Sequence, residues 1–96
     1  MRPVLFTGAA EADVEEAFQW YEVQRLGLGA VFRHSLDVAV AAVESMPAAS
    51  VIVHRNTRRF LLPKFPYGLY YRVLDDCVLV VACIHAKRHP GTWRAR

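Results

Sequence analysis

The chain has 96 residues, 54% of them hydrophobic and 22% charged, with a net charge of +3. That length holds one domain with one core and no second, and the balance is that of a folded chain rather than a disordered one. The longest nearly uncharged run, Cys77 to Ala86, is about half the ~20 residues a membrane-spanning helix requires, and the opening residues turn acidic where a signal peptide needs an apolar block; a cytoplasmic protein with no membrane partner is expected.

In chain order, "RPVLFT" predicts a strand at the edge of a sheet. From Ala9 to Arg25 the apolar positions Ala10, Val14, Ala17, Phe18 and Tyr21 follow helical spacing, and Glu11, Asp13, Glu15 and Glu16 crowd the first turns, where carboxylates favour the helix dipole. Gly27 is read as the end of that helix. A second stripe of Leu28, Val31, Phe32, Leu36, Ala39, Val40 and Val43 runs on to Met46, and Pro47 stops it. Two helices joined by "LGLG" make an antiparallel hairpin with an apolar inner face. The segment 47–57, "PAASVIVHRNT", reads as a connector. Three strands follow, in "RRFLLP", "PYGLYYRVL" and "CVLVVACIH", the last two joined by a tight turn at Asp75 and Asp76. The fold expected is α+β: an N-terminal strand and a helix hairpin packed on a twisted, mainly antiparallel sheet of three to four strands, as one domain over 1–96.

Cys77 and Cys83 fall in the last strand, where six steps of ~3.3 Å put them about 20 Å apart, beyond disulfide reach, so both read as free thiols. Burial in a strand raises a thiol's pKa and makes either a poor nucleophile. His85 and His89 have an H-x3-H spacing with Cys83 nearby, but a structural zinc needs four ligands and Cys77 is too far along the strand to join them. No metal and no cofactor is expected.

Charge is divided unevenly along the chain. Residues 1–54 hold three Lys or Arg against seven Asp or Glu, and residues 55–96 hold nine against two, about −4 and +7. A positive second half favours an acidic partner, either a phosphate backbone or an acidic protein segment. Strand parity sharpens the point: if Leu69, Tyr71 and Val73 face the helices, then Gly68, Tyr70 and Arg72 face the other way. With Arg59, Lys64 and the terminal "AKRHPGTWRAR", containing Lys87, Arg88, His89, Trp93 and Arg94, that side is expected to form a positive recognition surface. The alternatives are a polar outer sheet face without a ligand and a Trp93 folded back as an apolar plug. His85, His89, Lys87 and Arg88 also supply the residue types for metal-independent RNA cleavage, a base, an acid and cations for the phosphate. No glycine-framed aromatic signature or zinc spacing names a nucleic-acid-binding module.

Three segments, "EAFQWYEVQRLGLGAVF", "RRFLLPKFPYGLYYRV" and "VACIHAKRHPGTW", occur in an order that resembles the RelE/ParE superfamily of bacterial type II toxins, its ParE-like, plasmid-stabilisation branch in particular, from about Phe6 to Trp93. The resemblance implies a small α+β toxin held inactive by a cognate antitoxin whose acidic-leaning, disordered segment folds over it. RelE-like members cut messenger RNA on the ribosome with basic residues of the open sheet face, one of them following an aromatic in the middle strand. Here Tyr67 is followed by Gly68, which leaves that duty to Arg59 or Arg72, with Arg88 and His85 completing the set if the chain is a nuclease. The family's terminal Tyr or His position is Trp93, whose indole is no acid or base. ParE-like members instead inhibit DNA gyrase by binding, and the "RHPGTW" ending resembles theirs. The resemblance therefore implies a gyrase-binding toxin first, with an mRNA endonuclease or a non-toxic interaction domain of the same fold as the other readings.

Overall fold

Thr7 decides where the first helix begins. In the computed structural model, which describes residues 1–96, the Thr7 side chain accepts a hydrogen bond from Ala10 N at 3.1 Å and starts α1, Gly8–Gln24, directly after the short strand β1, Val4–Phe6. The helix stops three residues short of Gly27. That glycine, at φ +90, is the residue before α2, Leu28–Ser45. Glu22 ties the two helices together, its carboxylate accepting from Gly27 N at 3.1 Å and from Gly29 N at 3.0 Å, so an acid on α1 caps the free amides of α2.

The inner stripe of α2 is Phe32, Leu36, Ala39 and Val43, as the spacing predicts, but Val31 lies outside it at 44% exposure. Ser35 takes a place in the stripe instead, buried with its hydroxyl donating to Pro63 O. Residues 47–57, read as a connector, contain a strand.

That strand, β2, spans Val51–His54 and is followed by β3, Thr57–Leu61, β4, Tyr67–Val73, β5, Val78–His85, and a single turn of helix, α3, Gly91–Arg94. The sheet has five strands in the order β1-β5-β4-β3-β2, one more than the upper expectation of four. All neighbours are antiparallel except β1 and β5, which run parallel with Val4 opposite Val78 and Phe6 opposite Val80. β2 escapes a hydropathy reading because it is an edge strand with Val51 and Ile52 more than half exposed, so no buried face marks it.

Both helices pack on one side of the sheet. The core there holds Ala10, Val14 and Ala17 of α1, the α2 stripe, and Leu69, Tyr71, Val78, Val80 and Cys83 of the strands. A separate, smaller apolar cluster lies on the opposite side: Tyr70, Val81, Ala82, Ile84 and Trp93. The expected parity of β4 is therefore observed. A bulge in β5 makes the two clusters possible, because Tyr71 pairs with Val80 and Tyr70 with Ala82, leaving Val81 without a partner. Beyond the bulge the strand's edge outlasts its neighbour β1, since the last β1-side bond is Thr7 N to Val80 O at 3.0 Å. Side chains finish that edge: Asp13 accepts from Cys83 N at 3.1 Å, and Arg96 donates to Val81 O at 3.1 Å.

Candidate functional site

The sheet side away from the helices carries a row of residues fixed by register. His54 of β2 pairs with Thr57 of β3, and Thr57 with Arg72 of β4, so the three side chains stand abreast on neighbouring strands. Arg72 Nε donates to Thr57 Oγ1 at 3.2 Å and its Nη1 reaches Arg96 O at 3.5 Å. One row along, Arg59 pairs with Tyr70. The Arg59 stem lies across Gly68: a Cβ there would sit 3.1 Å from Arg59 Cγ and Cδ and 2.9 Å from Tyr70 Cε1. Glycine at 68 thus admits an arginine from the next strand, and Arg59 Nε is buried without a hydrogen-bond partner.

Trp93 covers the middle of this side. Its ring stacks on Tyr70 with centroids 4.8 Å apart and planes 23° from parallel, and the two residues are only 4% and 2% exposed. The plug expectation for Trp93 describes this arrangement; neither ring is offered to another molecule. Arg94 lies against the indole at 5.4 Å, and the His54 ring meets it edge-on at 5.9 Å. The His54 imidazole is pushed below its ordinary pKa by burial first and then by the charges of Arg94, Arg55 and Arg72, which keeps it neutral near pH 7.

The remaining cations named from sequence lie elsewhere. His85 is on the helix side of the sheet, its ring 5.7 Å from that of Tyr67, which packs among Tyr21 and Phe32. His85 Nδ1 accepts from Lys87 N at 3.1 Å, and Lys87 itself is exposed. Arg88 turns toward α1 and pairs with Glu16 at 3.7 Å. The space beside that pair, lined by Asp13, Tyr67, Cys83 and Arg88 among others, is about 10 Å³, room for one water at most. His89 is exposed and accepts from Gly91 N at 3.0 Å, and Lys64 is exposed in the β3–β4 turn at φ +67. Of the set that the family resemblance implies for RNA cleavage, His85 and Arg88 are thus on one side of the sheet and Arg59 and Arg72 on the other. The tail set of His85, Lys87, Arg88 and His89 is not divided in this way, but Arg88 is turned to Glu16 and His85 Nδ1 is occupied by Lys87 N. No group of three His, Cys, Asp or Glu is placed to hold a metal ion.

Sequence reasoning missed His54 and Arg55. Their signal was available in "VIVHRNT", where a hydrophobic triplet runs into a two-residue turn before the next strand, but exposure of that triplet hid the strand.

A strand, a helix hairpin and a four-strand antiparallel meander, closed by a parallel pairing of the first strand with the last, define a small α+β protein with the helices on one side of a five-strand sheet. Residues 4–90 match the family described as the ParE toxin of the type II toxin-antitoxin system parDE, and the chain belongs to it. Among solved structures, a chain of the chromosomal ParDE toxin-antitoxin system from P. aeruginosa superposes with a TM-score of 0.79 at 16% identity, covering 88% of this chain and 96% of that one. At that identity the likeness speaks for the fold. No curated protein matches the chain. No helix is long and apolar enough to cross a membrane.

Proposed function

We propose that this ParE-type toxin acts by binding a protein target, DNA gyrase, rather than by cutting RNA, and that a cognate antitoxin neutralises it. What supports the reading is the division, by the sheet, of the residues that a RelE-like nuclease would use together. An acid, a base and a phosphate clamp must meet within hydrogen-bond reach of one scissile phosphodiester. His85 and Arg88 cannot serve the same phosphate as Arg59 and Arg72 with a β-sheet between them, and the terminal aromatic that would do acid–base work is an indole enclosed against Tyr70.

The antitoxin follows from membership of a toxin-antitoxin family, and the cation excess of residues 55–96 suits an acidic-leaning segment as its neutralising part. The target-contacting region is taken to be the helix-distal side with Arg59, Arg72 and Arg94, together with Lys64 and the exposed stretch around Lys87 and His89. Tyr70 and Trp93 shape that region from beneath.

The reading is tested by incubating the purified chain with gyrase on relaxed plasmid and, separately, with ribosomes programmed with a defined message. Loss of supercoiling with the message intact is expected. Cleaved message with unimpaired supercoiling would replace this reading by the endonuclease one.

A further inference from the structure

Twelve lysines and arginines are spread over the chain, yet only Arg88 and Arg96 have a carboxylate within ion-pairing distance. Arg58 is spent on the carbonyls of Ala48 and Ser50. Around His54 the situation is different. Arg72 stands in register with His54 across Thr57, Arg94 lies against the Trp93 ring that His54 meets edge-on, Arg55 follows His54 in the chain, and none of the three pairs with an Asp or Glu side chain. Asp75 and Asp76, in the neighbouring β4–β5 turn, make no ion pair with any of the three. Like charges held this close repel unless an anion sits among them.

Backbone conformation adds an independent observation. Arg55 is at φ +52, in the left-handed region where a side chain costs about 1 kcal/mol or more relative to glycine. The β2–β3 turn keeps an arginine where glycine would be easier, and the result is a cation beside His54. A two-residue hairpin turn needs a positive φ, and here an arginine fills the position that glycine or asparagine fills at least cost.

We infer that His54, Arg55, Arg72 and Arg94 form a site for the phosphodiester oxyanions of duplex DNA. Guanidinium groups offer forked donors that match phosphate oxygens, and a neutral imidazole adds a donor without adding to the repulsion. Arg59, one row along the sheet and half-buried, extends the track by two residues, roughly 6.6 Å, a step comparable to that between successive phosphates. Duplex rather than single-stranded nucleic acid is indicated by the aromatics. Single strands are gripped by stacking unpaired bases on exposed rings, and here the rings on this side, Tyr70 and Trp93, are stacked on each other.

The site shares Arg59, Arg72 and Arg94 with the side proposed to contact gyrase, and the two readings are separated because duplex binding is measured with no enzyme present. Purified full-length chain is titrated into a fluorescently labelled short DNA duplex across a range of salt concentrations, with adenosine triphosphate and a glutamate-rich peptide of matched charge as separate ligands. The informative variant is Arg55→Gly with Arg94→Ala, since glycine suits the turn and the double variant is expected to melt no lower than the parent. Duplex affinity should fall at least tenfold, and the slope of log K against log salt should shrink by about 1.8, or 0.9 for each phosphate that is no longer neutralised. Arg25→Ala with Arg33→Ala, on the helix side, should leave both unchanged. Unaltered affinity and slope in the first variant would overturn the assignment. So would tighter binding of the glutamate-rich peptide, which would make the surface a protein site, or tighter binding of the nucleotide, which would make the phosphate source a free one.

Discussion

Arg96 grips Asp13 through two hydrogen bonds of 2.5 and 3.2 Å, joining residues 83 positions apart in the chain. The carboxylate is 9% exposed and the guanidinium 25%, so the pair is neither a loose surface contact nor fully desolvated. It fastens the segment that carries Trp93 to the first helix. Arg96→Ala leaves a mostly enclosed carboxylate with the Cys83 amide as its remaining donor, and should cost about 1–3 kcal/mol in urea unfolding. Asp13→Ala with Arg96→Ala should cost less than the two single changes added together, because they remove the same interaction.

Leu36 and Arg88 separate core from surface. Leu36→Ala opens a void in a site that is 5% exposed and should lose about 2–5 kcal/mol. Arg88→Ala breaks a 3.7 Å pair whose partners are 42% and 75% exposed, and should change stability by less than about 1 kcal/mol. Equal melting temperatures for the two variants would contradict the burial of Leu36 between α2 and the sheet.

Gly68→Ala tests the crossing of Arg59 over β4. The added methyl would come 2.9 Å from Tyr70 Cε1, and Tyr70 cannot retreat while Trp93 is stacked on it. The Arg59 side chain is flexible and moves more easily. A loss of about 1–3 kcal/mol is expected, with a change in Trp93 fluorescence as the stack is displaced. Wild-type stability and an unshifted emission spectrum would show that the ring is free to move.

Burial, then the Asp13 charge, pushes the Cys83 thiol up to about 12, and Cys77 is raised by burial and by Asp76. Thiolate, not thiol, reacts with alkylating agents. Iodoacetamide at pH 8 should therefore leave the folded chain unmodified and add two groups, one at each free cysteine, once it is unfolded. Rapid modification of the native protein would place one of the thiols at the surface.

His54 predicts a pH dependence. Its folded pKa lies below the unfolded value of 6.5, so the unfolded chain takes up the proton more readily. The stability is fully present above 6.5, declines as pH falls from there through the lower folded value, and then levels off. A melting temperature that drops between pH 7.5 and 5.5 in the parent, and drops less in His54→Gln, is the expected pattern.

Most of the helix-side architecture was legible because periodicity and burial coincide there. Phe32, Leu36, Ala39 and Val43 announce α2 by spacing, and Leu69 and Tyr71 announce the inward face of β4. Two elements with mixed burial were harder. β2 has an exposed hydrophobic start, and the β5 bulge places consecutive residues Val81 and Ala82 in the same cluster, which strict alternation forbids. The candidate site was half legible. Residue type and parity put Arg59 and Arg72 together, whereas the direction of Arg88 depends on Glu16, seventy-two residues earlier in the chain, and the enclosure of Trp93 depends on where the tail crosses the sheet.

The parallel pairing of β1 with β5 has a consequence for the order in which the protein is made. Val4 leaves the translation machinery long before Val78, its partner, so the first strand waits for the last one with no place to bind. A product halted before Val78 lacks the central strand that joins β1 to the remaining meander and carries much of the helix-side core. Interrupted synthesis therefore yields protease-sensitive fragments that lack the assembled sheet, and whatever the fold does is confined to chains that have been finished.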